Sequence, residues 1–317
     1  MRRVLPFALT LLCAPTLAQN FPTKPIKIIL PAVAGSAPDL RVRQVAPKVG
    51  DALGQPLIVD NRPGANGAIG AREAAKAAPD GYTLFNANIN NALNDLLAPD
   101  PSCRLNHELA AVTDLALAPL IMVVNPNVPA KSLAEYIALA KSKPKGLTYA
   151  SGGSGSVIQL LAERIKSAAG IDVVEIPYKS LGADLPNLIA GHVDTGFSVV
   201  STLGGPIRGG KLRGLAVAGP RRLAALPDIP TMAEAGMPGM EATVWNGLFA
   251  PAGTPQTIIV LLQQQFAKAL NATDVREQIA ASGAELGGRT PEEFAEFVRA
   301  ELAKWDKVIK DAGVKLD

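Results

Sequence analysis

Residue types that carry out covalent or metal chemistry are scarce in this sequence, and where they occur their spacing does not suit it. The two histidines, His107 and His192, lie far apart. The run Ser151-Gly-Gly-Ser-Gly-Ser156 does not spell the G-x-S-x-G of a nucleophile elbow, because Ser156 takes the place of the last glycine. Cys103 and His107 stand four apart without companions, and two ligands do not make a metal site. Gly205 to Lys211 matches G-x-x-x-x-G-K, but Leu212 replaces the hydroxyl residue that would hold magnesium. Lys211 also leads into a strand-like run rather than a helix, so the stretch reads as a turn before a strand. Gly64-x-x-Gly67-x-x-Gly70 departs from the dinucleotide fingerprint and follows a turn. The sequence therefore assigns no catalytic residue, no metal ligand and no cofactor.

What remains is chemistry for holding an anion. Two segments share one construction: a strand, a loop of small residues, then the start of a helix. The first contains Ala34, Gly35, Ser36, Ala37 and Asp39; the second contains Ser151, Gly153, Ser154, Gly155 and Ser156. A helix N-terminus leaves backbone N–H groups unpaired and carries partial positive charge. Small residues let a carboxylate approach the main chain, and the serines add hydroxyl donors. Asp39 and Ser156 equally suit plain helix capping. Asn86 and Asn88 close a third strand, where they serve as further polar contacts or as loop caps. Lys179 is a cation near the second segment, of a type that usually sits in solvent.

The elements that must position these loops follow an alternating pattern. Strands are expected at Ile26 to Leu30, Leu57 to Val59, Tyr82 to Phe85, Ile121 to Val124, Leu147 to Ala150, Val173 to Ile176, Val193 to Phe197 and Leu215 to Val217. Helical stretches lie between them, which predicts βαβ units and parallel sheets. Asp39 is placed to cap a helix that Gly54 ends and Pro47 should kink. Ser132 with Glu135, and Thr290 with Glu293, form capping boxes. The last helix carries one apolar stripe, Phe294, Phe297, Val298, Leu302, Trp305, Val308 and Ile309. With 317 residues the chain is long enough for two domains. A balance of 31 Lys+Arg against 28 Asp+Glu, with 4% aromatics, excludes a nucleic-acid binder on charge and stacking grounds. Arg2, Arg3, the apolar run to Cys13 and Ala18 read as an export leader over residues 1–18, too short to span a bilayer. Lipidation at Cys13 is the rival reading, opposed by Leu12 before it.

Many short stretches in order carry a family resemblance. They include Pro22-Thr-Lys-Pro25, Asn61-Arg-Pro-Gly-Ala65, Ala78-Pro-Asp-Gly-Tyr-Thr-Leu84, Pro177-Tyr178-Lys179, Pro227-Asp-Ile-Pro-Thr231, Trp245, Ala250-Pro-Ala-Gly-Thr-Pro255 and Lys304-Trp305. The chain resembles the extracytoplasmic solute receptors of the tripartite tricarboxylate transporter system, the Bug-type family. The resemblance implies an α/β, two-domain periplasmic-binding-protein fold of type II, a Venus flytrap with its ligand cleft between domains. It implies crossovers near Met122 and Trp245, giving domain 1 as 19–121 plus 246–317 and domain 2 as 122–245. It also implies that the Ala34 to Asp39 loop holds a carboxylate, faced by the Ser151 to Ser156 loop and by the stretch around Phe197. Tyr178 and Ser198 thereby join the candidate ligand-binding residues.

Gly35-Ser-Ala-Pro38 is poorer in glycine than the family's loop, and Gln159 stands where histidine is frequent. Ser180 follows Lys179 where glycine is usual, and Ser198 takes the place of an aspartate suited to an ammonium group. These departures predict an organic acid lacking a required ammonium group. The expected partners are that ligand and membrane transporter subunits, with a signalling partner as the alternative, and the expected state is a monomer. A periplasmic hydrolase or lyase of a carboxylated substrate is the reading from a different class.

Overall fold

Ile26, Ile28, Ile29 and Leu30 are all buried, so the first strand of the chain lies inside a sheet that is covered on both faces. The structure, a computed structural model, describes residues 21–64, 67–97, 104–178 and 183–312. The expected leader, with Cys13, falls outside the described residues, as do Ala65, Cys103, Lys179 and Ser180.

The chain begins with β1 (Ile26–Leu30), α1 (Ala37–Leu53), β2 (Leu57–Asn61), α2 (Ala68–Ala75), β3 (Thr83–Asn88), α3 (Ile89–Leu97), α4 (Leu105–Glu108) and β4 (Leu109–Pro119). Then come β5 (Ile121–Val124), α5 (Leu133–Ser142), β6 (Thr148–Ser151), α6 (Val157–Ala169), β7 (Val174–Pro177), α7 (Leu185–Ala190), β8 (Thr195–Ser198), α8 (Val200–Arg208) and β9 (Arg213–Val217). The last stretch adds β10 (Thr243–Pro251), α9 (Gln256–Leu270), α10 (Thr273–Ala281), β11 (Glu285–Leu286) and α11 (Pro291–Ala312).

Two sheets result, ordered β11-β4-β10-β3-β1-β2 and β7-β6-β8-β5-β9. Parallel pairing was expected and is present in both sheets, but each also contains antiparallel pairs. β1 pairs parallel with β2 and β3, whereas β10 runs antiparallel between β3 and β4. In the second sheet β6 pairs parallel with β7 and β8, and β5 antiparallel with β8 and β9. The reason is the path of the chain. β4 hands over to β5 through Leu120 alone, and the chain returns from the second sheet through β10, which comes back against the direction of β3. The two crossing segments are stitched where they meet: Ala218 N–H donates to Leu120 O at 2.7 Å, and Leu120 N–H to Ala242 O at 3.0 Å.

Local signals behave as the sequence dictates in several helices. Ser132 accepts the Glu135 N–H, and Glu135 in turn accepts the N–H of Lys131. Gly54 and Gly170 end α1 and α6 in the left-handed region, with φ of 69° and 62°. α1 runs on through Pro47. The stretch Gly205 to Lys211 is the end of α8 and its turn into β9, the reverse of the strand-to-helix order a nucleotide loop needs. The stripe of α11 buries Phe294, Val298, Trp305 and Val308 in a core shared by both sheets, with Phe85, Met122, Phe197 and Trp245.

One half-buried acid bears on stability. Asp95 on α3 accepts the Leu105 N–H at 2.7 Å through one oxygen, while its other oxygen is buried without a partner. Burial pushes its pKa up to about 7 against the Leu105 hydrogen bond, which lowers it. The ordinary aspartate value is about 3.9, so between roughly pH 4 and 7 the unfolded chain gives up a proton that the folded chain keeps. Stability therefore falls as pH rises through that window. Asp95→Asn is expected to remove this decline, so that urea midpoints favour the variant more at pH 8 than at pH 5.

Candidate functional site

The loop between β1 and α1 is held from beneath by a buried carboxylate. Asp39 is not the cap of α1; the helix starts earlier, with Ser36 at the capping position and Asp39 inside the first turn. Proline suits the first turn of a helix, where its missing N–H costs no intrahelical bond, so α1 starts ahead of Pro38; the same missing N–H denies the Ser36 side chain a donor, and Ser36 Oγ donates instead to Val33 O at 2.7 Å. Asp39 accepts from Gly35 N–H at 2.9 Å, from Arg43 Nε at 3.0 Å and from Asn61 Nδ2 at 3.0 Å. Burial works to raise its pKa, but the Arg43 Nε–H, the Gly35 N–H and the Asn61 amide prevail and hold the carboxyl below its ordinary value. Asn61 also donates to Ala32 O, so a single side chain ties the loop to β2. Gly35 adopts φ 80°, open to glycine and strained for other residues. Ala34, Gly35 and Ala37 are exposed at the loop tip.

The second loop is braced in the same manner by Glu175 on β7. Ser151 Oγ donates to Glu175 and accepts the Gly153 N–H at 2.9 Å. Gln159 donates to Glu175 at 3.0 Å, and its carbonyl oxygen takes the Gly155 N–H at 2.7 Å. The Ser151 proton was expected for a ligand; in the structure it goes to Glu175. Ser156 caps α6 by accepting the Gln159 N–H on one of its two lone pairs. Ser154 lies half-buried between them. Tyr178 joins the loop through its main chain, its N–H donating to Ser151 O at 3.0 Å, while its hydroxyl accepts from Asn187.

The strand ends beside these loops carry polar atoms that protein groups leave unsatisfied. Continuing the β1–β3 register sets Asn86 beside Leu30, where the first loop begins. Asn86 is 1% exposed, and neither its amide nitrogen nor its amide oxygen has a partner. Ser198, at the end of β8, is 1% exposed with an unpartnered hydroxyl. Leaving such groups unsatisfied costs about 1–3 kcal/mol each, so a native site fills them with solvent or ligand. Asn88 takes the capping role: its oxygen accepts the Asn90 N–H at 2.9 Å. The two edges face one another, since Asn90 at the start of α3 accepts the Val157 N–H of α6 at 3.4 Å.

Sequence reasoning missed Asn246. It lies opposite Asn88 in the β3–β10 ladder, with its amide nitrogen buried and unpartnered. Recognising β10 as a strand was the signal that would have found it. Trp245 packs edge-on against Phe294 and Phe297, fully buried beside the crossing segments. Both histidines are exposed. Among the described residues no group of three or more His, Cys, Asp or Glu is set to hold a metal ion, and no helix is long and apolar enough to cross a membrane.

Two α/β sheets joined at crossing segments, with loops and unsatisfied polar groups on facing strand ends, define a two-domain solute-binding protein of the type II periplasmic-binding fold. The family model described as tripartite tricarboxylate transporter family receptor matches residues 41–314, and the chain belongs to that family. It is 35% identical over 307 residues to Protein BugT of Bordetella pertussis, covering 96% of this chain and 94% of that one. A solved structure described as a periplasmic transporter is 36% identical, with TM-score 0.86, covering 94% of this chain and 100% of that one. R. palustris Rpa4515, solved with adipate, is 31% identical, with TM-score 0.86, over 93% of this chain and 99% of that one.

Proposed function

We propose that this protein captures a small organic acid between the facing edges of its two sheets and delivers it to membrane subunits of a transporter. The observation that carries the reading is the pair Asn86 and Ser198, both buried, both unsatisfied, and each beside a loop that opens a helix. The cradle comprises Ala34 to Ala37 on one side and Ser151 to Ser156 with Ser198 on the other. Asp39 and Glu175 hold the loops in shape from behind. Domain 1, residues 19–121 plus 246–317, closes on domain 2, residues 122–245, by rotation about the crossing segments. Ligand contacts to both domains favour the closed state. The neutral Ser198 suits an acid without an ammonium group. Binding of adipate by Rpa4515 supports an acid of this size. The protein acts as an exported monomer and releases its ligand unchanged.

The test is a thermal-shift screen of the mature protein, refolded free of carried-over ligand, against mono-, di- and tricarboxylates and amino acids. A ligand at one hundred times its Kd stabilises by about 2.7 kcal/mol. One acid class is expected to raise the midpoint and to be recovered intact by mass spectrometry. Selective binding of glutamate or aspartate over matched dicarboxylates, or turnover of the bound acid, overturns the reading.

A further inference from the structure

The two loops of the cleft are braced alike but differ in charge. Asp39, behind the first, is paired with Arg43 at 3.0 Å, so its charge is balanced. Glu175, behind the second, is met by neutral groups: Ser151 Oγ donates to one oxygen and Gln159 Nε2 to the other. Both oxygens accept, which is the bonding of an ionised carboxylate. Among the described residues Glu175 takes part in no ion pair, and Lys166 of the adjacent α6 pairs instead with Glu163.

The helix starts differ in the same sense. α1 begins without a side-chain cap, and the N–H groups of Ala37 and Asp39 in its first turn have no acceptor within the helix. α6 is closed: Ser156 Oγ accepts the Gln159 N–H, and Asn90 of the opposite edge accepts the Val157 N–H. Within the second loop, the Gly153 N–H goes to Ser151 Oγ, the Gly155 N–H to Gln159 and the Ser156 N–H to Gly153 O at 3.1 Å. An anion at the first loop meets open donors and the positive end of a helix. An anion at the second loop meets donors already taken and a like charge behind them. Ser198 and Glu175 stand on opposite sides of β6, since that strand lies between β8 and β7. The unsatisfied Ser198 hydroxyl is therefore placed away from Glu175, where it can share a carboxylate held by the first loop.

We infer that the ligand carries a single carboxylate, taken by the first loop and Ser198, and presents a neutral hydrogen-bonding group to the second loop, where Glu175 excludes a second anion. This rests on the carboxylate reading above. Titration calorimetry with two matched pairs, succinate with its monoamide and adipate with its monoamide, tests it, because each pair differs only by one carboxylate made a carboxamide. In the wild type at least one monoamide is expected to bind tenfold or more tightly than its diacid. Glu175→Gln removes the charge and is expected to narrow that preference to threefold or less, through a gain in affinity for the diacid. Gln159→Lys sets a cation against Glu175 and is expected to narrow it likewise; it carries the test if Glu175→Gln does not fold. A brace without electrostatic effect would weaken both acids of a pair together and leave their ratio unchanged. That outcome, or a wild type that binds each diacid as tightly as its monoamide or more tightly, overturns the inference alone. A wild type that binds no member of either pair overturns the carboxylate reading and this inference together.

Discussion

Replacing Ser198 by aspartate is expected to weaken binding of a simple organic acid by about two orders of magnitude or more. The hydroxyl it replaces is buried and unpartnered at the end of β8. A carboxylate there would face the ligand's own charge with little water between them. Two like charges about 4 Å apart repel by roughly 4 kcal/mol at an effective dielectric of 20, and each 1.4 kcal/mol is tenfold. Ser198→Ala, which removes one donor and adds no charge, is expected to cost about three- to tenfold. The aspartate variant should also gain affinity for amino acids, whose ammonium group it can pair. Calorimetry on the three proteins checks this, and unchanged affinity in the aspartate variant would remove Ser198 from the site.

Asp114→Ala should produce the largest loss of stability among single polar substitutions. Asp114 on β4 is fully buried and accepts the N–H groups of Gly288 and Arg289 at 3.0 and 2.9 Å, with its second oxygen paired to the Arg289 side chain. Thr113 beside it donates to Arg289 O. These bonds fix the segment that leads into α11, the helix whose stripe fills the shared core. Removing one partner of a buried pair costs about 3–5 kcal/mol. Arg289 is about one-third exposed and can recover solvent, which puts the expectation near the lower end, about 3 kcal/mol. Asp114→Asn keeps an acceptor for the backbone and should lose less. Urea denaturation of both variants is the measurement; near-wild-type stability of Asp114→Ala would mean that the α11 approach is held by packing alone.

Both substitutions act on features that a linear reading reaches unequally. The helix limits at Gly54, Ser132, Ser156, Gly170 and Thr290 were legible because a cap depends on residues within about four positions. The α11 stripe was legible because its period lies within one element. The two small-residue loops were legible for the same reason: strand, glycine and helix start are neighbours in the chain. The β4 and β10 strands were not. Leu109–Pro119 and Thr243–Pro251 are nearly buried throughout, so they lack the alternation that marks a half-buried strand. Pro38 shows a local rule overridden by another, since proline's preference for the first helical turn set the start of α1 at Ser36 rather than Asp39.

By itself, then, the sequence determined the alternating α/β plan, the two loops suited to an anion and the absence of any catalytic or metal constellation in its spacing. The tertiary structure decided which polar groups those loops leave over. The Ser151 hydroxyl donates to Glu175, a residue 24 positions away, and Asn88 turned to capping α3, while Asn86, Ser198 and Asn246 kept unsatisfied atoms. Hydrogen-bond satisfaction and charge pairing depend on which distant strands become neighbours. That is set by packing and register across the whole chain, and no local stretch of sequence contains it.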